Sequence, residues 1–350
     1  VGTVKPVSTL PKRRSQGLPD PSGSNSFTDK PRDISHVYDT ADEFFRIVLR
    51  AGGIAVLAIM GLVGFFLALR AFQALSLSGL NFFTTQAWEP DSGNFGIVAI
   101  LFGTVVIAVI AVLVAVPLSL ATALYISEYA SPALARGLVT LVDLMAAIPS
   151  VVFGLWGVFF LQPQLTPISK WISQNFGWIP IFSVDGSDPN DPLTSNTVFT
   201  SSSFIAGVVV GLMITPVVTS VMREVFSQAP IGEREAALGL GATRWGMIRN
   251  VVLPFGKGGI IGATMLGLGR ALGETIAVYM IISPVFTIQW HILQNGAISV
   301  SSLIALRYGE ATQIGMSALM AAGLALFAMT LVVNFAAATI VSKSRSGAAS

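Results

Sequence analysis

The sequence predicts an all-α polytopic membrane protein with six transmembrane helices, and three observations lead there. Hydrophobic residues make up 53% of the 350 positions and charged residues only 11%, against roughly 25% charged in an ordinary soluble domain. Six apolar runs are each long enough for a bilayer, which takes about 20 residues per helical crossing. Basic residues gather in alternate segments between those runs. The formal charge of +2 decides little in such a chain, because position outweighs sum. With no cysteine, disulfides, thiol nucleophiles and Cys-ligated metals are excluded.

Residues 1–40 are rich in Pro, Ser, Lys and Arg without apolar periodicity, so they cannot bury enough surface to order themselves. A disordered cytoplasmic tail is expected there rather than a secretory leader, since the first apolar run opens only near Ala51. The permease domain is expected over residues 41–342, with a short C-terminal tail at 343–350. Its spans fall near residues 51–69, 96–120, 138–161, 204–222, 258–283 and 315–341. Helices are required because backbone polar groups in hydrocarbon must be satisfied within the segment, and the runs lack the alternation of barrel strands. Pro117, Pro149 and Pro216 are expected to kink or interrupt their spans.

Orientation follows from charge. The cluster from Lys5 to Arg50, Arg136, the group Arg223, Arg234, Arg244, Arg249 and Lys257, and the pair Lys343 and Arg345 all fall on one side; the opposite loops hold Arg70, Lys170 and Arg307. The positive-inside rule then places both termini and the loop at about 223–257 in the cytoplasm of a bacterial cell. The segment 162–203, with Trp171, Trp178 and three aspartates in a Gly/Pro/Asn-rich stretch, reads as an external loop carrying a short interfacial helix.

The cytoplasmic stretch 233–254 reads EREAALGLGATRWGMIRNVVLP. Good helix formers fill its first half, Gly239 and Gly241 supply a break, Thr243 caps a second helix and Pro254 is expected to stop it. Trp245, Ile248, Val251 and Val252 share a face suited to a groove on a partner protein, or to the lipid interface.

Glu235-Ala236-Ala237, Gly241 and the run Val251-x-Leu253-Pro254 resemble the EAA loop of binding-protein-dependent ABC importer permeases. The resemblance implies a coupling helix that docks into a cleft on an ATPase subunit, with Glu235, Ala236, Ala237, Gly241, Leu253 and Pro254 at its signature positions. AAIPSVVFGLWG at 146–157 and LGLGRALGETIAV at 266–278 are similar to the phosphate-specific permeases, closer to the PstC-type subunit than to its PstA-type partner. The family implies an inorganic phosphate importer in which this chain forms half the pathway. Its partners would be a PstA-type permease, two copies of a cytoplasmic PstB-type ATPase holding ATP and Mg, and an extracytoplasmic PstS-type binding protein. Neither a cofactor in this chain nor a nucleic-acid partner is expected.

Arg270 and Glu274 lie in the fifth apolar run, where insertion scales assign about 2.5 to 3.5 kcal/mol per ion. Four residues apart on one expected helix, they share a face and can pair. One reading is a self-satisfied ion pair locking two helices; the other places Arg270 on the translocation path, where a guanidinium replaces the water of an oxyanion. A carboxylate such as Glu274 can accept a hydrogen bond from the acidic P–OH of phosphate while leaving fully ionised sulfate unpaired. Asp143 is a second candidate for that role or a partner for an Arg. Ser150, beside Pro149, either donates to the anion or bonds back to its own helix.

Enzymatic motifs are missing. His36 and His291 are far apart without metal or base spacing, and no GxxxxGK[ST] is present, so ATP belongs to another chain. The GxxxG spacings at 207/211, 258/262 and 269/273 permit close helix packing. Rival readings are a permease for sulfate or molybdate, an intramembrane enzyme using Asp143 and Glu274 as an acid pair, and a carrier that needs no ATPase.

Overall fold

A computed structural model describes residues 40–345 apart from 187, 190 and 192. Of the tail expected at 1–40, residues 1–39 lie outside the described residues, as do 346–350 of the tail expected at 343–350. Two compact units divide the chain, Val1–Val56 and Leu57–Ser350. In the first, helix α1 (Thr40–Ser78) begins, with Asp42 and Arg46 paired at 3.5 Å one turn apart.

The second unit contains the remainder. Its part of α1 leaves Leu62, Phe65, Leu69 and Phe72 exposed, a surface that only hydrocarbon or another helix can solvate. A small hairpin, β1 (Trp88–Glu89) with β2 (Asn94–Phe95), leads into α2 (Val98–Leu124), which ends in a wide π-turn over Tyr125–Tyr129. Next come α3 (Pro132–Ala146) and a rod made of α4 (Ser150–Trp156), a π-turn over Gly157–Leu161 and α5 (Gln162–Phe176). The chain returns through α6 (Ser203–Ser227) to the short α7 (Ile231–Gly239). It re-enters through α8 (Arg244–Met247), a third π-turn over Ile248–Val252 and α9 (Leu253–Gly273). Short helices α10 (Ile276–Ile281) and α11 (Val300–Arg307) precede α12 (Gln313–Arg345).

Among the described residues six helical stretches are long and apolar enough to cross a membrane: Ala41–Phe83, Val98–Tyr129, Ser150–Phe176, Ser203–Ser227, Arg244–Gly273 and Gln313–Thr339. The expected number is borne out, while the first, third and fifth spans shift at both ends. The third crossing starts at Ser150 rather than at 138, because the chain is extended at Pro149, and it runs to Phe176 through what was expected to be external loop. Only Pro149 of the three span prolines interrupts a helix; α2 and α6 continue through Pro117 and Pro216. Pro254 does not stop its helix either. The preceding π-turn bonds Leu253 N–H to the Ile248 carbonyl, and Pro254 then stands in the first turn of α9, where an N–H is least missed.

At the centre α2 and α6 pack along their length, with α9 against both. Their close approach depends on Gly207 and Gly211: a Cβ at Gly207 would lie 2.6 Å from Ile110 and one at Gly211 2.8 Å from the Ala111 carbonyl. Gly262 and Gly273, from the other two GxxxG spacings, face open space. Between α10 and α11 the backbone is irregular; its last part is buried, with Ala297, Ile298 and Ser299 almost wholly covered, as are Val300 and Leu303 of α11. Its polar groups are satisfied inside the protein: Val300 N–H donates to Thr104 Oγ1 at 3.0 Å, and Ser299 and Ser302 form a reciprocal capping box.

Candidate translocation site and coupling surface

The fifth apolar run breaks within the sequence that carries its charges. Helix α9 ends at Gly273; Glu274 is extended at φ −65°, ψ 127°, and α10 starts afresh at Ile276. The expected sharing of a helical face by Arg270 and Glu274 therefore fails, and no ion pair joins them among the described residues. The cause is local. Oε1 of Glu274 accepts from Ala277 N–H at 3.2 Å, capping α10, and the Glu274 carbonyl accepts from Ser301 Oγ at 3.0 Å. A helix start, with its free N–H groups and positive dipole end, stabilises a carboxylate that an uninterrupted apolar helix would leave bare. Glu274 is buried; Arg270 is exposed and has no hydrogen bond or ion pair among the described residues.

The α3/α4 break lies beside this one. Gly154 of α4 packs against Ala277 and Met280 of α10, and Gly157 against Ile281. The contacts advance in the same direction along both segments, so the two run parallel. One turn earlier in sequence stand Ser150, the first residue of α4, and Glu274, just before α10, each at the start of an interrupted helix. Among the described residues the hydroxyl of Ser150 has no hydrogen-bond partner, so it is not bonded back to its own helix. Asp143, in the last turn of α3, accepts from Ser220 Oγ of α6 at 3.1 Å and pairs with no Arg. It does not join Glu274, whose contacts are with α10 and α11.

Such discontinuous helices, with unpaired backbone ends at membrane depth, are what transport proteins use to replace the water of an ion. The periodicity of the apolar run could not show the break. A Gly-Glu-Thr sequence inside it was the available signal, a helix terminator followed by a capping side chain.

Toward the other end of α6, the loop folds as its residues dictate. Gly241 takes φ +84°, and its N–H and that of Ala242 reach back to the carbonyls of Leu238 and Ala237, a Schellman closure of α7. Thr243 caps α8 by accepting from Gly246 N–H at 3.1 Å. Glu235 and Ala236 are exposed, Ala237 is half-buried, Leu253 packs on a core cluster around Phe226, and Pro254 is exposed. The apolar face expected for docking is divided: Ile248 and Val252 are fully buried against this chain, because the helix runs straight into α9. Of that face Trp245 stays exposed and Val251 is half-buried; Ile231, Leu238 and Leu240, outside it, are exposed as well, with Leu240 90% accessible at the tip.

An ion pair that sequence reasoning did not identify anchors this loop. Arg234 of α7 lies 3.3 Å from Glu128 in the π-turn after α2, and both side chains are largely covered. A second Arg234 nitrogen donates to the Phe226 carbonyl near the end of α6. The helix that would meet a partner is thus joined to two central helices.

Residues 115–346 match the family described as binding-protein-dependent transport system inner membrane component, and the chain belongs to that family. Within it, the chain is 38% identical over 304 residues to the phosphate transport system permease protein PstC 2 of Mycobacterium tuberculosis, covering 85% of this chain and 91% of the relative. It is 41% identical over 281 residues to PstC of Mycobacterium leprae, covering 79% and 85%. A bacterial ABC transporter for import of the acidic polysaccharide alginate shares the fold at TM-score 0.53 and 18% identity, over 86% of this chain and 99% of that one. This is a multi-pass membrane protein of PstC type, a transport subunit rather than an enzyme.

Proposed function

We propose that this chain forms half of the translocation pathway of an ATP-driven inorganic phosphate importer. The observation that supports it most is Arg270, exposed and without a hydrogen bond or ion pair among the described residues, one turn before the helix break at Glu274. A guanidinium supplies two donors in fixed geometry to an oxyanion. Of the Glu274 carboxylate, Oε1 is engaged by Ala277 N–H, and Oε2, without a partner among the described residues, can accept the P–OH of phosphate.

One Arg on one chain makes half a site. The other half would come from a PstA-type permease across a pseudo-two-fold axis, facing the exposed side of α9. Two PstB-type ATPases, binding ATP and Mg, would meet α7 through Leu240 and Trp245 on the cytoplasmic side. A PstS-type protein would deliver phosphate from outside. Closure of the ATPases would move α7, and the Arg234–Glu128 pair would carry that movement into α2 and α6. Both termini are cytoplasmic in this arrangement.

Uptake of labelled phosphate into vesicles holding the chain with permease and ATPase partners tests the substrate. ATP-dependent uptake that excess sulfate leaves intact is expected. Equal competition by sulfate would return the substrate to oxyanions in general, and uptake without any ATPase would sink the ATP-driven reading.

A further inference from the structure

A second cationic feature lies apart from Arg270 and Glu274. At the end of the molecule that carries α7, an open cavity of about 640 Å³ is lined by Arg136 and Thr140 of α3, Arg223 and Ser227 of α6, Ser127 of the π-turn after α2, and Arg234 of α7. The placement is regular: 136 and 140 are one turn apart on α3, and 223 and 227 one turn apart on α6, so each helix presents an Arg and a hydroxyl to the same space. No carboxylate lines it. Glu128 balances Arg234 alone, and no acidic group lies within ion-pair distance of Arg136 or Arg223 among the described residues.

The donors left over define the ligand. Each hydroxyl hydrogen is engaged by its own segment: Thr140 to Arg136 O, Ser227 to Glu224 O and Ser127 to Leu124 O. Arg136 uses only Nε, toward Pro132 O at 3.3 Å, so its two terminal nitrogens have no acceptor. Arg223 has no acceptor among the described residues. Unmatched guanidinium donors of Arg136 and Arg223 lining one cavity with a net positive charge suit an anion with several acceptor oxygens.

We propose that this cavity is a phosphate-group site, distinct from the translocation site, filled either by free inorganic phosphate or by the headgroup of an anionic phospholipid. Both sources present the same oxygens, and the cavity lies where the ends of α2, α3 and α6 meet, within reach of a membrane surface as well as of solvent.

The test uses the full chain in maltoside detergent, with inorganic phosphate or phosphatidylglycerol added, reading the thermal unfolding midpoint and, for phosphate, equilibrium binding of the labelled ion. Wild type, Arg223→Gln, Arg136→Gln and Arg223→Lys are compared, each also in an Arg270→Gln background. Saturable stabilisation that survives Arg270→Gln, weakens about tenfold in either Gln variant and is partly restored by Lys is expected. A response to phosphate identifies the free ion; a response to phosphatidylglycerol alone identifies the headgroup. No response to either, or one that Arg223→Gln and Arg136→Gln leave unchanged, overturns the proposal. Binding lost in Arg270→Gln alone would overturn it too, while supporting the transport reading; a chain without phosphate uptake that keeps Arg223-dependent binding would do the reverse.

Discussion

Glu274 caps a helix with one carboxyl oxygen and leaves the other to accept from an anion's P–OH, and the two roles can be separated. Glu274→Gln keeps an acceptor for Ala277 N–H, whereas Glu274→Ala removes it. The Ala variant should therefore lose about 1 kcal/mol of stability, as other lost caps do, and the Gln variant much less, measured by thermal unfolding of the purified chain. If the carboxylate accepts the phosphate P–OH, uptake should fall in both. Uptake that tracked stability alone would reduce Glu274 to a structural cap. Arg270, Glu274, Asp143 and Ser150 were all legible in sequence as polar groups in apolar runs. Their partners were not, because a partner depends on where the helix stops, and hydrophobicity does not mark that point. Asp143 shows this most clearly: it is held by Ser220, a residue 77 positions away.

Elements were most legible where short-range chemistry determines them. Gly241 supplies the left-handed turn and Thr243 the next cap, so the loop folds much as its sequence reads. Gly241→Ala places a Cβ in a conformation that costs about 1 to 2 kcal/mol. It should disturb the angle between α7 and α8, lowering transport-coupled ATP hydrolysis more than it lowers the unfolding midpoint; a change in neither would show that the turn geometry is irrelevant to coupling. Gly207→Leu, by contrast, overpacks the α2/α6 contact and should destabilise the chain by about 1 to 3 kcal/mol or more, seen as a lower unfolding midpoint. The least legible elements were α10, α11 and the irregular backbone between them. The fifth helix was expected to continue to 283, across the break before α10, and no element was expected from there to 315; the backbone entering α11 is satisfied by Thr104 and by the Ser299–Ser302 box, which no local pattern announces. Pro254 misled for the opposite reason, since a π-turn two residues upstream had already opened the ladder.

At the scale of the whole molecule, the chain leaves unfinished surfaces of two kinds. In the proposed assembly a second permease would cover the exposed side of α9, with Arg270, and an ATPase the exposed apolar tip at Leu240 and Trp245. Leu240→Asp should abolish copurification with the ATPase while leaving the fold and the unfolding midpoint near wild type, because Leu240 touches little of its own chain. Copurification unchanged would move the coupling contact elsewhere on the loop. The central claim is that Arg270 receives the transported anion, and the most direct measurement is phosphate uptake by assembled complexes carrying Arg270→Gln, with ATP hydrolysis and subunit composition followed in parallel. Loss of uptake in a complex that still assembles and still hydrolyses ATP is the predicted result; uptake equal to wild type would contradict it and return Arg270 to a structural role.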